Sequence, residues 1–249
     1  MSATIAVLGL GEAGGALARD LLAAGAVVRG YDPAVPATGG VLDTGSEAEA
    51  ADGADLVLSV NSASAAVDAL RAGIGTAATW ADLNTASPGT KRVLAGIAAE
   101  HDVPFADVAI MAPVPGKGLR VPMLASGAAA AEVARILNPL GASVEVMPGP
   151  AGLAAERKLL RSVFFKGMAA AVVEALAAAR AAGCEAWLRE IIENELAGAG
   201  AATVERLVTG SYRHAVRRTA EMAAAAEMLG ELGVPADVAG AARDHLSRL

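Results

Sequence analysis

The sequence is poor in aromatic residues, cysteine and histidine. Phe, Trp and Tyr together make up 3% of its 249 residues, Cys184 is the single cysteine, and there are three histidines. A lone cysteine excludes an intrachain disulfide and fits a reducing, cytoplasmic setting. No His, Cys, Asp or Glu cluster has ligand spacing, so no metal site is expected. Positive charge is also short. Twenty Lys and Arg against 27 Asp and Glu leave a net charge of −7, which speaks against a nucleic-acid surface. The basic residues that do gather, at 157–161 and 213–218, suit an anionic small molecule. No basic stretch precedes the first apolar run, so no signal peptide is expected. No run of about 18 uncharged apolar residues appears, so no membrane span is expected. The Ala-rich tracts are interrupted by Glu174, Arg180 and Glu221.

What the chain has in quantity is small apolar residues and glycine. It is 54% hydrophobic, mostly Ala, Val and Leu, with 28 glycines. The informative stretch comes first. A β-branched apolar run leads into Gly9-Leu10-Gly11-Glu12-Ala13-Gly14, and apolar residues then recur with helical spacing up to Gly25. This is the strand–turn–helix order of a dinucleotide-binding turn. Gly9 permits the tight turn, Gly11 lets the backbone approach a pyrophosphate, and Gly14 lets helix and strand pack closely. The helix N-terminus then offers unpaired N–H groups to the anion. A second strand pattern ends in Tyr31-Asp32, 18 residues after Gly14. An acidic residue there bonds a ribose 2′-hydroxyl. It also favours NAD over NADP, because a carboxylate repels a 2′-phosphate and no Arg directly follows.

From residue 4 to about 147, strand and helix patterns alternate. Strands are expected at 56–60, 79–83, 105–111, 121–125 and 143–147, with helices between them. The expected fold is therefore a Rossmann-type α/β domain with a doubly wound, mostly parallel sheet over residues 1–148. Ligands bind beyond the carboxyl ends of such strands. Val60, Asn61, Ser62, Asn84 and Thr85 fall at those ends, although ordinary helix caps use the same residue types. Pro and Gly at 148–152 mark a boundary. Beyond it no strand pattern remains. Residues 149–249 are expected to be an all-α domain with one helix of about 30 residues from Leu153, then helices at 186–196, 201–207, 212–232 and 236–246. A long apolar helix on so small a domain implies burial against a second copy, so a homodimer through the C-terminal domain is expected.

A second stretch runs from Gly149 to Gly167. At helical spacing Lys158, Arg161, Ser162 and Phe165 share one face. A Lys and a hydroxyl one turn apart can serve one carbonyl oxygen, with Arg161 to hold a carboxylate; on spacing alone a plain solvated basic face is the better reading. Here the chain resembles the β-hydroxyacid dehydrogenase superfamily, which includes 3-hydroxyisobutyrate dehydrogenases, tartronate semialdehyde reductases and 6-phosphogluconate dehydrogenases. It is most similar to a branch whose C-terminal domain is phosphogluconate-dehydrogenase-like and of unknown function. Gly9, Gly11 and Gly14 complete the family's opening motif. Gly149, Gly152 and Lys158 match its G-x-x-G-x-G-x-x-x-K-x-x-x-N motif, with Ala154 in place of the third Gly and Ser162 in place of the Asn.

The resemblance implies an NAD(P)-dependent oxidoreductase acting on a small, anionic β-hydroxy acid or related carbonyl compound, with Lys158 as general acid/base. It departs from the family in three places. Phe165 stands where phosphogluconate dehydrogenases carry a Glu. Asp107 to Pro113, or 112–116 in another register, takes the place of the D-A-P-V-S-G-G substrate loop, whose Ser is gone. Glu221-Met222 replaces the Asp-Leu of a late K-D-L motif. Met111, Ala112 and Pro113 are carried over as substrate-binding residues together with Arg161 and Ser162. His214, beside Arg217 and Arg218, is added as a residue able to reach an anionic substrate. Two other readings stand beside this one: a catalytically inactive cofactor-binding sensor, and an imine reductase-like enzyme, whose family does not use this Lys motif.

Overall fold

The computed structural model describes residues 2–249. It divides into two compact units, one running up to Arg161 and the other Ser162–Leu249. The division falls inside the long helix.

The first unit is built on one eight-stranded sheet: β1 (Thr4–Leu8), β2 (Val27–Tyr31), β3 (Leu42–Asp43), β4 (Leu56–Ser59), β5 (Trp80–Asp82), β6 (Phe105–Ile110), β7 (Pro122–Ser126) and β8 (Ser143–Val146). The strand order is β3-β2-β1-β4-β5-β6-β7-β8. Every neighbouring pair is parallel except β6 and β7. The order reverses between β1 and β4, which is where such a sheet opens a ligand crevice. The helices of this unit are α1 (Glu12–Ala23), α2 (Glu47–Ala51), α3 (Ala66–Gly73), α4 (Pro88–Glu100) and α5 (Ala130–Leu137).

The sheet forms because its central strands are apolar on both faces. Ile5, Ala6, Val7, Leu56, Val57 and Leu58 are fully buried, as parallel strands covered on both sides require. Leu17 and Leu21 of α1, one turn apart, are buried as well and fix α1 over β1. Ser87 starts α4 as its N-cap, accepting from the Thr90 N–H at 3.1 Å, with Pro88 in the first turn. Two short elements, β3 and α2, have no visible pattern in the sequence. Each holds too few residues to express a period.

The second unit is helical, as expected. The helix α6 (Leu153–Ala181) runs into it and is followed by α7 (Glu185–Ala197), α8 (Ala201–Arg213), α9 (Ala215–Glu231) and α10 (Asp237–Leu246). The helix expected at 212–232 begins three residues late. Tyr212 and Arg213 finish α8, and the chain breaks at His214, whose backbone leaves the helical region at φ −121°, ψ 26°. In this unit the Glu174 carboxylate of α6 accepts from the backbone N–H groups of Val238 and Ala239, at 2.7 and 2.8 Å, and so caps α10. Few large side chains are buried here. Val163, Val173, Trp187, Tyr212 and Val216 are all more than 60% exposed.

Among the described residues α6 is also the one helix long and apolar enough, by length and composition, to cross a membrane. The expectation of no such segment rests on requiring an uncharged run, and Lys166 and Glu174 interrupt this one. Only 11% of the most apolar stretch is buried within this chain.

Candidate active site

The glycine turn adopts the geometry its spacing implies. Gly9 has φ +95°, and a Cβ there would lie 2.8 Å from the Asn61 backbone, so only glycine fits. A Cβ on Gly14 would run into the Gly9 carbonyl oxygen. Gly11 differs from both. Its φ is negative, and a Cβ there would meet nothing within 4 Å. No contact within the chain requires Gly11 to be glycine; the space above it is open. Gly11 is also the N-cap of α1 and supplies no side-chain cap, so the first-turn N–H groups face an anion site without a competing acceptor from Gly11. These features fit a dinucleotide pyrophosphate.

The ends of β1, β2 and β4 enclose a cleft of about 330 Å³ whose walls include Gly9, Gly11, Tyr31, Asp32, Val60, Asn61 and Ser62. That volume falls among small-molecule sites, roughly 300–1,000 Å³. Leu10 and Glu12 line a neighbouring cleft with Arg19 and Thr38. Ala13 is half-buried in α1 between them.

Asp32 is tied to backbone as well as placed for a ribose. Its Oδ2 accepts from the Leu10 N–H at 2.8 Å, and its Oδ1 from Ala34 and Val35 at 2.8 and 3.0 Å. Partial burial raises its pKa, but the bonds from Ala34, Leu10 and Val35 outweigh this and hold the carboxyl below its ordinary value. A carboxylate has about four acceptor sites, so Oδ2 keeps capacity for a hydroxyl donor.

The residues at the strand ends separate into caps and site groups. Ser62 closes the turn ahead of α3: its Oγ accepts from the Ala65 N–H at 3.2 Å. Asn61 and Asn84 do not cap. The Asn84 amide nitrogen donates to Asn61 Oδ1 at 2.8 Å and to Asp82 Oδ2 at 2.7 Å, and lies 3.1 Å from Ser59 Oγ. Asn84 is buried, whereas Thr85 beside it is exposed. The Thr85 hydroxyl oxygen accepts from Lys158 Nζ at 2.8 Å. A continuous set of contacts therefore leads from the cleft beside Gly9 and Asp32, through Asn61 and Asn84, to the segment that holds Lys158.

Lys158 stands in the second turn of α6, half-buried, and Arg161 is exposed on the same helix. Met111, Ala112 and Pro113 form the loop after β6, with Met111 N–H bonded to the Pro122 carbonyl at 2.8 Å. Ser162, half-buried in α6, and His214, exposed between α8 and α9, belong to the second unit.

Sequence reasoning misses a buried ion cluster behind this surface. Lys91 Nζ lies 2.5 Å from Asp82 Oδ1 and 3.2 Å from Asp107 Oδ1, and none of the three side chains is more than 1% exposed. The family resemblance offers Asp107 as the anchor of the substrate loop. Its Oδ2 instead accepts from the N–H groups of Gly152 and Ala155, at 3.1 and 2.9 Å, and caps the start of α6. Ser126 Oγ accepts from Ala154 N–H at 3.0 Å in the same turn.

Residues 4–149 match the family described as the NAD binding domain of 6-phosphogluconate dehydrogenase, and residues 179–249 match a domain of unknown function. A curated relative from Methanothermus fervidus, an uncharacterized 28.5 kDa protein in the 7S RNA 5′ region, is 31% identical over 143 residues. That match takes in 57% of this chain and 55% of the relative, so the chain spans about half the relative's length. Among solved structures, the conserved protein MTH1747 of unknown function, reported as structurally similar to 3-hydroxyacid dehydrogenases, is 29% identical with a TM-score of 0.65; the match covers 98% of this chain and 97% of that one. An imine reductase variant from Myxococcus stipitatus in complex with NAD+ is 22% identical with a TM-score of 0.78, covering 100% and 93%. A reductive aminase from Aspergillus terreus in complex with NADPH is 20% identical with a TM-score of 0.80, also covering 100% and 93%. The last two share the fold.

Proposed function

The chain belongs to the family of the NAD-binding domain of 6-phosphogluconate dehydrogenase, and we propose that it is an NAD(P)-dependent oxidoreductase with Lys158 as its general acid/base. The observation that carries this reading is the 2.8 Å bond from Lys158 Nζ to Thr85 Oγ1, in the same unit as the glycine turn. A solvated surface lysine has no need of a fixed hydroxyl partner from another segment.

When bound, the nicotinamide supplies or accepts a hydride at the substrate carbon. Everything else falls to the chain. The α1 N-terminus and Gly11 hold the pyrophosphate, and Asp32 takes the ribose hydroxyl, which favours NAD over NADP. Thr85 accepts one hydrogen of the Lys158 ammonium and so fixes the direction of Nζ. In reduction Nζ gives a proton to the substrate oxygen, and in oxidation it takes that proton back; such transfer contributes roughly 10²–10⁴-fold. Arg161 and the loop of Met111, Ala112 and Pro113 orient a small anionic substrate, and Ser162 and His214 are carried as substrate-binding candidates of the second unit. For these five and His214 the support is the family resemblance and residue chemistry. The substrate class is a β-hydroxy acid or related carbonyl compound.

The exposed apolar side chains of the second unit support a homodimer formed through it. The lone cysteine supports a reducing, cytoplasmic setting.

The test is NADH and NADPH oxidation against β-keto acids, aldehydes and cyclic imines, with cofactor fluorescence as the binding control. Turnover of a keto acid supports the reading. Turnover of imines alone moves the chain to C=N reduction. Binding without turnover across the panel assigns it as a sensor.

A further inference from the structure

The buried Asp82–Lys91–Asp107 cluster is shut off from solvent, yet it is an expensive thing to build. Asp82 and Asp107 are register partners on the parallel strands β5 and β6, so their side chains leave the same face side by side. Two carboxylates at that spacing repel each other once water is removed. Lys91 reaches in from α4 and lies against both. The three charges still sum to −1 in a place with no solvent. Desolvation makes such clusters poor sources of stability, and apolar residues of similar volume serve a core at least as well. Stability alone is therefore a weak reason for this arrangement.

What each aspartate does with its other oxygen supplies a better one. Asp82 Oδ2 holds the Asn84 amide, next in the chain to Thr85. Asp107 Oδ2 holds the Gly152 and Ala155 N–H groups, one turn before Lys158. The segment that carries Thr85 and the segment that carries Lys158 thus end on the same ammonium. Lys91 also donates to the Asp82 carbonyl oxygen at 2.9 Å, which fixes the backbone just before Asn84.

We propose that Lys91 is a positioning residue: by binding Asp82 and Asp107 together, it sets the register between Thr85 and Lys158 that places Nζ for proton transfer. This rests on the reading of Lys158 as the general acid/base. The lysine touches no substrate. Its effect passes through two backbone segments that otherwise share no covalent neighbour.

The experiment compares Lys91→Met with the double variant Lys91→Met/Asp107→Asn in the full chain. The double variant restores the cluster's wild-type charge, and the introduced amide keeps an oxygen to cap α6. Lys91→Met is expected to lower kcat about 100-fold, the scale of a misplaced catalytic group, with KM and NADH affinity changed by no more than about threefold. The double variant is expected to regain the wild-type melting temperature while kcat stays low. Unchanged kcat in Lys91→Met, a kcat that returns with stability, or a double variant that stays destabilised overturns the proposal. Amide hydrogen exchange of segment 152–158 separates this from the underlying reading. If the wild type turns over nothing on the panel, the acid/base role of Lys158 fails by itself. The positioning role then stands on faster exchange in Lys91→Met, and wild-type protection there overturns it.

Discussion

Lys158 Nζ and Thr85 Oγ1 lie 2.8 Å apart although 73 residues separate them in the chain. The contact joins the end of the β5 loop to the second turn of α6. It gives the lysine one defined direction on a surface where an unrestrained amine would sample many.

Replacing Lys158 by Ala is expected to lower kcat by about 100-fold or more while NADH fluorescence titrates with unchanged affinity. Equal turnover in the two proteins would remove Lys158 from the chemistry.

Thr85→Val keeps the shape and removes the acceptor. Its kcat should fall roughly tenfold, the scale of one lost hydrogen bond to a charged group, and Thr85→Ser should restore most of it. Steady-state kinetics on the three proteins decides the matter. Full kcat in the Val variant would show that the hydroxyl is not needed.

Gly11 and Gly14 make opposite predictions. Gly14→Ala forces a Cβ into the Gly9 carbonyl oxygen and should lower the melting temperature. Gly11→Ala meets nothing in the chain. It should leave the melting temperature alone and weaken NADH binding, because the proposed reading gives the open space to the pyrophosphate. Calorimetry and fluorescence titration of both variants test this, and undiminished affinity in Gly11→Ala would show that the cofactor sits elsewhere.

Asp32 predicts a pH dependence with a definite sign. Its folded pKa lies below the ordinary 3.8, because the bonds from Ala34, Leu10 and Val35 more than offset burial. The unfolded chain therefore binds this proton more tightly. The stabilisation is complete above the ordinary value and is lost as pH falls through the lowered one. The gap in melting temperature between wild type and Asp32→Asn should hold steady at pH above the ordinary carboxyl value and narrow as pH falls below it. A gap that widens in acid contradicts the assignment.

Light scattering should give the mass of two chains for the wild type. Val216, 89% exposed, and Val163, 75% exposed, are the most water-facing large apolar groups of the second unit. Changing both to Glu should shift the protein toward monomer, since a buried interface does not tolerate unpaired charge. A wild-type monomer would refute the dimer.

The glycine turn, Asp32 at the end of β2, the alternation of strands and helices, and the all-helical second unit are legible in the sequence. Each is written within a few residues or as a repeating period. The break at His214, the strand β3 and the helix α2 are not, because each spans too little chain to carry a period. Asn84 and Thr85 stand out in the sequence, but their local pattern suits a helix cap equally well. Ser87 proves to be the cap, and that releases Thr85 for Lys158.

The sequence by itself determined that a dinucleotide turn opens this chain, because the positive φ of Gly9 and the close approach of Gly14 to the Gly9 carbonyl are local requirements. It also offered Lys158 as a candidate, by its place in a motif. Only the tertiary structure decided what surrounds that lysine. Register between β5 and β6 sets Asp82 beside Asp107, and helix packing brings Lys91 between them. Those pairings join positions far apart in the chain, and no local pattern encodes them. Strand order and packing alone bring such groups within hydrogen-bonding distance.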